Sequence, residues 1–178
     1  MSPPIRFAIS PLIRGTLLLF YVVLTVPLPI LAQKTGAPVP LWLWGMGLPL
    51  GLGVLWGALS ERVEVTDAGL TVRYPWWFPF RGDRFLPWAE VEALKAKTTG
   101  QGGLVYYFLT RQGEGFLLPM RIAGFARLVT LVQERTGIDT RDVKPLAQPW
   151  MYLALLTLSL LLGLMDVWVW LQPVPHLN

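Results

Sequence analysis

Three stretches without charge decide what this chain can fold into. Gly15 to Gln33 reads GTLLLFYVVLTVPLPILAQ, and Thr35 to Ser60 holds a second run with its apolar core at Leu41 to Leu59. Trp150 to Leu171 makes a third, interrupted only by Asp166. An α-helix rises about 1.5 Å per residue, so roughly 20 apolar residues cross a bilayer core. Each run approaches that length and predicts a membrane span. Across the 178 residues, 53% are apolar and 15% charged, where a soluble domain carries about 25% charged. An ordinary soluble enzyme and a disordered chain both fit this composition poorly.

Each run carries its own signals. Arg14 sits at the first turn of the first, where its stem can snorkel to the headgroups, and Pro27 and Pro29 should kink or end that helix. A cleavable signal peptide is the competing reading, because Arg6 and Arg14 precede an apolar run ending at Ala32. The next apolar run follows within ten residues, which favours a span. That second run contains two G-x-x-x-G spacings, Gly47/Gly51 and Gly53/Gly57. Small residues four apart admit a neighbouring helix closely, either the first span or another membrane protein. Trp42, Trp44 and Trp56 lie near its ends, as an interfacial belt places them. Asp166 lies near the end of the third run and reads as a solvated interfacial acid.

Basic residues set the orientation. Arg6 and Arg14 precede the first span, Arg62 follows the second, and Arg141 and Lys144 precede the third. The loop between spans one and two holds only Lys34, and the last seven residues hold no Lys or Arg. The positive-inside rule then puts the N-terminus and the central block in the cytoplasm and the C-terminus outside.

Glu61 to Gln148 carries 12 basic and 10 acidic residues, close to balance. Val63 and Val65 alternate with Glu64 and Thr66, Asp67-Ala68-Gly69 turns the chain, and Leu70, Val72 and Tyr74 alternate with Thr71 and Arg73. This predicts a hairpin with one buried face. From Val91 onward a second alternation slips by one residue, which predicts a β-bulge near Ala93–Leu94. Thr99 to Gly103 reads as a flexible turn, Leu104 to Thr110 as a central strand apolar on both faces, and Gly115 to Met120 as a further strand. Ile122, Phe125, Leu128, Val129 and Val132 recur at helical spacing, with Gly137 as the C-cap. A half-open sheet plugged by that helix is the expected shape.

The hairpin VEVTDAGLTVRYP, the LPWAEVEAL segment, the YYFLT and GFLLP strands and the closing helix together resemble the bacterial pleckstrin-homology-like domains of multi-pass membrane proteins. The resemblance covers about half the chain. In eukaryotic relatives, basic residues of the first hairpin loop hold inositol phosphates; here that loop is Asp67-Ala68-Gly69. The layout is also similar to a photosystem assembly-factor family that joins two spans to a small sheet.

The inventory for catalysis is thin. Cysteine is absent and the only histidine is His176, so Ser-His, Cys-His and His-metal arrangements have no members in the central block. Glu90/Glu92 and Asp139/Asp142 could in principle serve acid–base work, and the first pair, on the polar face of a strand, reads as solvated surface charge. Gly100 to Gly103 lacks the Lys-Ser/Thr of a phosphate loop. A net charge of +4 is too small and dispersed for nucleic acid. No enzyme, cofactor or metal is expected. The most distinctive segment is Pro75-Trp76-Trp77-Phe78-Pro79-Phe80, followed by Arg81 and Arg84. Its prolines prevent regular strand pairing, and its aromatics suit core packing, the membrane interface or a partner contact.

The expectation is an α+β membrane protein with three transmembrane helices and an inserted pleckstrin-homology-like β-sheet domain closed by a C-terminal helix. Its parts are a two-span hairpin at 1–60, the cytoplasmic domain at 61–140, a linker at 141–149, the third span at 150–171 and a tail at 172–178. It is expected in an inner membrane, cytoplasmic or thylakoid, as a non-enzymatic scaffold, assembly or auxiliary factor. Its partners would be subunits of a membrane-protein complex, and membrane lipids. Trp76, Trp77, Phe78, Phe80, Arg81 and Arg84 would meet the partner or membrane, and Gly47, Gly51, Gly53 and Gly57 would pack helices. The alternative is an anionic-lipid sensor in which Arg81, Arg84, Lys95 and Lys97 face the headgroups.

Overall fold

The computed structural model describes residues 3–98, 100, 104–144 and 149–172. In chain order the elements are β1 (Ile5–Ala8), α1 (Pro11–Thr25), α2 (Pro27–Lys34), α3 (Leu41–Ala58), β2 (Arg62–Val65), β3 (Gly69–Arg73) and β4 (Arg84–Pro87). A 3-10 turn (Trp88–Glu90) leads into β5 (Val91–Thr98), β6 (Leu104–Thr110), β7 (Gly115–Leu117), α4 (Phe125–Thr136) and α5 (Pro149–Leu171). The chain divides into a β-rich unit, Met1–Pro11 with Gly57–Gln148, and a helical unit, Leu12–Trp56 with Pro149–Asn178. Thr99, the 101–103 part of the flexible turn, the 145–148 part of the linker, and the tail from 173 with His176 lie outside the described residues.

The β-rich unit is two antiparallel sheets, one ordered β1-β2-β3-β4 and the other β5-β6-β7. This corrects the single half-open sheet expected from the strand pattern. Pro87 and the 3-10 turn interrupt pairing between β4 and β5, so the chain crosses from one sheet to the other there. The expected hairpin is β2–β3, with Val63 opposite Val72 and Val65 opposite Leu70. All four side chains are buried, as one-face alternation requires. The β5–β6 register shifts between Val91 and Ala93, so the bulge falls at Glu92, a residue or two before the expected position. Its extra residue moves Leu94 onto the face opposite Phe108, a fully buried ring.

β1 changes the boundary drawn at 1–60. Ile5–Ala8 pairs along its length with β2, Ile5 opposite Val65 and Ala8 opposite Arg62, and Phe7 points into the core. Ile9 bridges Ile122. These residues therefore belong with the β-rich unit and not with a helical hairpin.

Residues of both sheets and α4 share one hydrophobic core, centred on Val63, Leu70, Phe108, Leu118, Leu128 and Val132. α4 begins after Gly124, so Ile122 joins the core from the preceding segment and not from the helix. Gly137 ends α4 in the left-handed region at φ 71°, its N–H donating to the Gln133 carbonyl over 2.8 Å. Glycine adopts that conformation without a Cβ penalty. Just beyond, Tyr106 donates its hydroxyl to the Asp142 carbonyl (2.9 Å) and Val143 packs on the core, so the start of the expected linker is fastened to the domain.

In the helical unit, Pro11–Lys34 and Pro149–Leu171 are long and apolar enough to cross a membrane. α1 and α2 meet at Val26, where Pro27 and Pro29 remove backbone donors; the helix resumes rather than ending. α3 is also apolar, but shorter than these two, and contains Pro49. α1 contacts both other long helices: the Tyr21 hydroxyl donates to the Leu48 carbonyl of α3 (3.0 Å), and Val23 lies against Gly163 of α5.

Core position should govern stability here. Leu128→Ala should destabilise the protein by about 2–5 kcal/mol, as truncation of a fully buried leucine does. Leu117→Ala, on the outer face of β7 at 42% exposure, should cost well under half of that. Thermal melting of the full-length protein in mild detergent, followed by tryptophan fluorescence, checks both.

Candidate functional site

Among the described residues, side chains of unusual chemistry concentrate in the loop between β3 and β4. Proline at 75 and 79 removes two backbone donors, and Phe78 N–H closes a turn on the Pro75 carbonyl (2.9 Å). The loop divides its aromatics sharply. Phe78 is 6% exposed, whereas Trp76 is 95%, Phe80 68% and Trp77 41% exposed. Phe78 is thus the buried ring of the loop, and the other three are its exposed ones. It lies so close to Gly57 that a Cβ there would collide with the ring. Its edge also meets Phe80 (centroids 5.4 Å apart) and Trp77 (6.2 Å). A buried ring therefore forms the pedestal on which exposed rings stand.

Polar contacts brace both ends of the loop. Tyr74 N–H donates to an Asp83 carboxylate oxygen (3.2 Å), and the Tyr74 hydroxyl donates to Glu61 Oε2 (2.7 Å). Arg81 Nη1 donates back to that hydroxyl (3.1 Å), and its guanidinium lies 5.7 Å from the Tyr74 ring centroid. Burial holds the Tyr74 pKa above its ordinary value, and the Glu61 carboxylate pushes the same way by disfavouring a phenolate beside it. The hydrogen bond to Tyr74 raises the Arg81 pKa further. A shallow cleft of about 390 Å³ opens between Tyr74, Trp76, Phe78 and Arg81. Next to it, Glu64 joins Arg6 (3.0 Å) to Arg73 (3.2 Å), and Arg73 reaches toward Asp83 at 4.0 Å.

Arg84, although exposed, lies apart from the loop cluster. It sits on β4 opposite Val72 with its guanidinium 5.0 Å from the Phe116 ring. Trp88, absent from the expected site, is buried and donates its indole N–H to the Thr66 carbonyl (3.0 Å). Glu61 and Asp83 also escaped notice, because their contacts with Tyr74 span 13 and 9 residues and leave no local pattern.

The four α3 glycines do not form one packing face. Gly51 faces the Tyr21 ring of α1 and Gly57 faces Phe78, while a Cβ at Gly47 or Gly53 would meet nothing within 4 Å. The α1–α5 contact uses a different small residue, Gly163 against Val23, with the fully buried Ser159 four residues earlier. The S-x-x-x-G spacing was the available signal. Lys34 donates to the Val169 carbonyl near the end of α5 (3.3 Å), a favourable place for a cation. Among the described residues, no three His, Cys, Asp or Glu side chains gather where they could hold a metal.

The chain is 56% identical over 160 residues to Uncharacterized protein slr0269 of Synechocystis sp., a match covering 88% of this chain and 80% of that protein. No family model matches the chain, and no solved structure matches it.

Two measurements probe this geometry. A tyrosine whose folded pKa exceeds its unfolded one binds its proton more tightly when folded, so stability falls as pH rises past about 10, the unfolded value. Tyr74→Phe should remove that component, giving a shallower loss of melting temperature above pH 10 than the wild type shows. Gly51→Val should force the Tyr21 ring aside and cost about 1–3 kcal/mol, the usual range for overpacking. Gly47→Val should be far milder in the same detergent melt.

Proposed function

The chain belongs to one family with slr0269 of Synechocystis sp., and we propose that it is a non-catalytic integral membrane scaffold that holds a membrane-protein complex. In this reading α1–α2, α3 and α5 all cross the bilayer, with the N-terminus and β-rich unit cytoplasmic and the C-terminus outside. The basic flanks at Arg6, Arg14, Arg62, Arg141 and Lys144 support that orientation. A four-stranded sheet, a three-stranded sheet and one closing helix support a pleckstrin-homology-like domain.

One observation carries the scaffold reading: Trp76 is 95% exposed on a loop whose base is pinned by buried Phe78 and by Tyr74. A large ring left in water gains by meeting an apolar surface, and a braced loop loses little conformational freedom in doing so. Tryptophan at such positions anchors interfaces. The alternative, a lipid sensor reading headgroups through Arg81, Arg84, Lys95 and Lys97, draws less support. Arg81 is engaged by Tyr74 and Arg84 by Phe116, which leaves the two lysines of β5.

Tagged full-length protein, recovered from its native membrane in mild detergent, should co-elute with a stoichiometric membrane subunit. The double variant Trp76→Ser, Phe80→Ser should lose that subunit by roughly tenfold or more, as hot-spot removal does, with the melting temperature unchanged. Undiminished co-elution would count against the loop. Extraction of the protein by alkaline carbonate would count against the membrane reading itself.

A further inference from the structure

Among the described residues, Arg14 has no ion-pair partner. Its guanidinium carbon lies 3.8 Å from the Trp56 ring centroid, stacking the first turn of α1 on the last turn of α3. Indole covers one face of the cation, and stacking of this kind leaves the in-plane terminal Nη donors uncovered. Nε is shielded from solvent and has no hydrogen-bond partner among the described residues, nor does Arg14 form an ion pair there. Residues 1–60 contain no Asp or Glu, and the helical unit holds one acid, Asp166. Asp166 lies three residues before Val169, whose carbonyl takes Lys34. Lys34 follows Arg14 by twenty residues of α1 and α2, roughly 30 Å at 1.5 Å per residue, so Asp166 belongs to the opposite end of the helices.

We infer that Arg14 and Trp56 form a site for the headgroup of an anionic phospholipid, with the phosphodiester taken by the guanidinium edge. A guanidinium presents paired N–H groups that match two oxygens of a phosphate. The partly exposed apolar neighbours Leu12 and Leu17 suit the acyl chains of a lipid better than a free ion. A zwitterionic headgroup would bring its own cation and leave the charge of Arg14 unbalanced, so the site selects for net negative charge. This rests on the reading that α1 enters the bilayer near Arg14; it does not depend on the scaffold role.

Full-length protein in mild detergent, mixed in turn with phosphatidylglycerol, phosphatidylcholine and inorganic phosphate, can be examined by native mass spectrometry. The wild type should retain one phosphatidylglycerol and bind phosphatidylcholine about tenfold less well, the scale of one charge-assisted hydrogen bond. Arg14→Gln should weaken phosphatidylglycerol binding by about tenfold, and Arg14→Lys, which keeps charge but loses the fork, should fall between. Equal retention by wild type and Arg14→Gln overturns the inference. So does equal affinity for the two lipids, or displacement of the lipid by equimolar inorganic phosphate. Should Arg14→Gln not fold, the lipid preference of the wild type and the Arg14→Lys value decide it. A wild type that binds the lipid but co-elutes with no membrane subunit would count against the scaffold and leave this site standing.

Discussion

The pairing of β1 with β2 is the constraint on which the rest of the structure depends. Ala8 stands opposite Arg62 and Ile5 opposite Val65, so the chain leaves the sheet for more than fifty residues, 41 of them helical, and returns to the neighbouring strand. Closing a loop of that length costs little more than closing one half as long, because the entropy grows only logarithmically. The ladder and the burial of Phe7, Val63 and Val65 in one core offset it. The β-rich unit is consequently built from two separated pieces of chain, and no cut between them yields a complete sheet.

The loop at 74–83 follows the same logic at smaller scale. Its turns and prolines give it little regular pairing, yet it is held at both ends by Tyr74 and Asp83 and in the middle by Phe78 against Gly57. Holding a loop this way separates two jobs that its composition leaves mixed: one ring is buried and the others face outward. The absence of a side chain at Gly57 makes that division possible.

Much of the fold was legible because periodicity is a local property. The alternation of Val63, Val65, Leu70 and Val72, the two-faced apolar strand at Leu104–Thr110, and the helical spacing from Phe125 to Val132 each lie within one window and each correspond to an observed element. The bulge was legible as a slip in phase, misplaced by a residue or two because Ala93 fits either face. Strand β1 was not legible. Four residues, Ile-Arg-Phe-Ala, are too few to display a period, and they sit against a hydrophobic run that dominates any reading. The division of the sheets depended on where Pro87 falls relative to a turn. At the candidate site, composition identified the aromatic loop, but the inward turn of Phe78 is decided by Gly57, twenty-one residues away. The spacing of the α3 glycines was visible; which of them has a neighbour is a matter of where Tyr21 and Phe78 lie.

A sheet stitched from separated pieces also imposes a timetable on biosynthesis. The ribosome makes β1 first, but its partner is not complete until Val65 and the hairpin closes only at Arg73. At about 5–20 residues per second, that leaves the first strand waiting roughly 3–13 s. During most of this interval the nascent chain is producing α1, α2 and α3, so the sheet cannot finish before those three helices have been made. Maturation of the domain thereby becomes a built-in report that the preceding segments have been made.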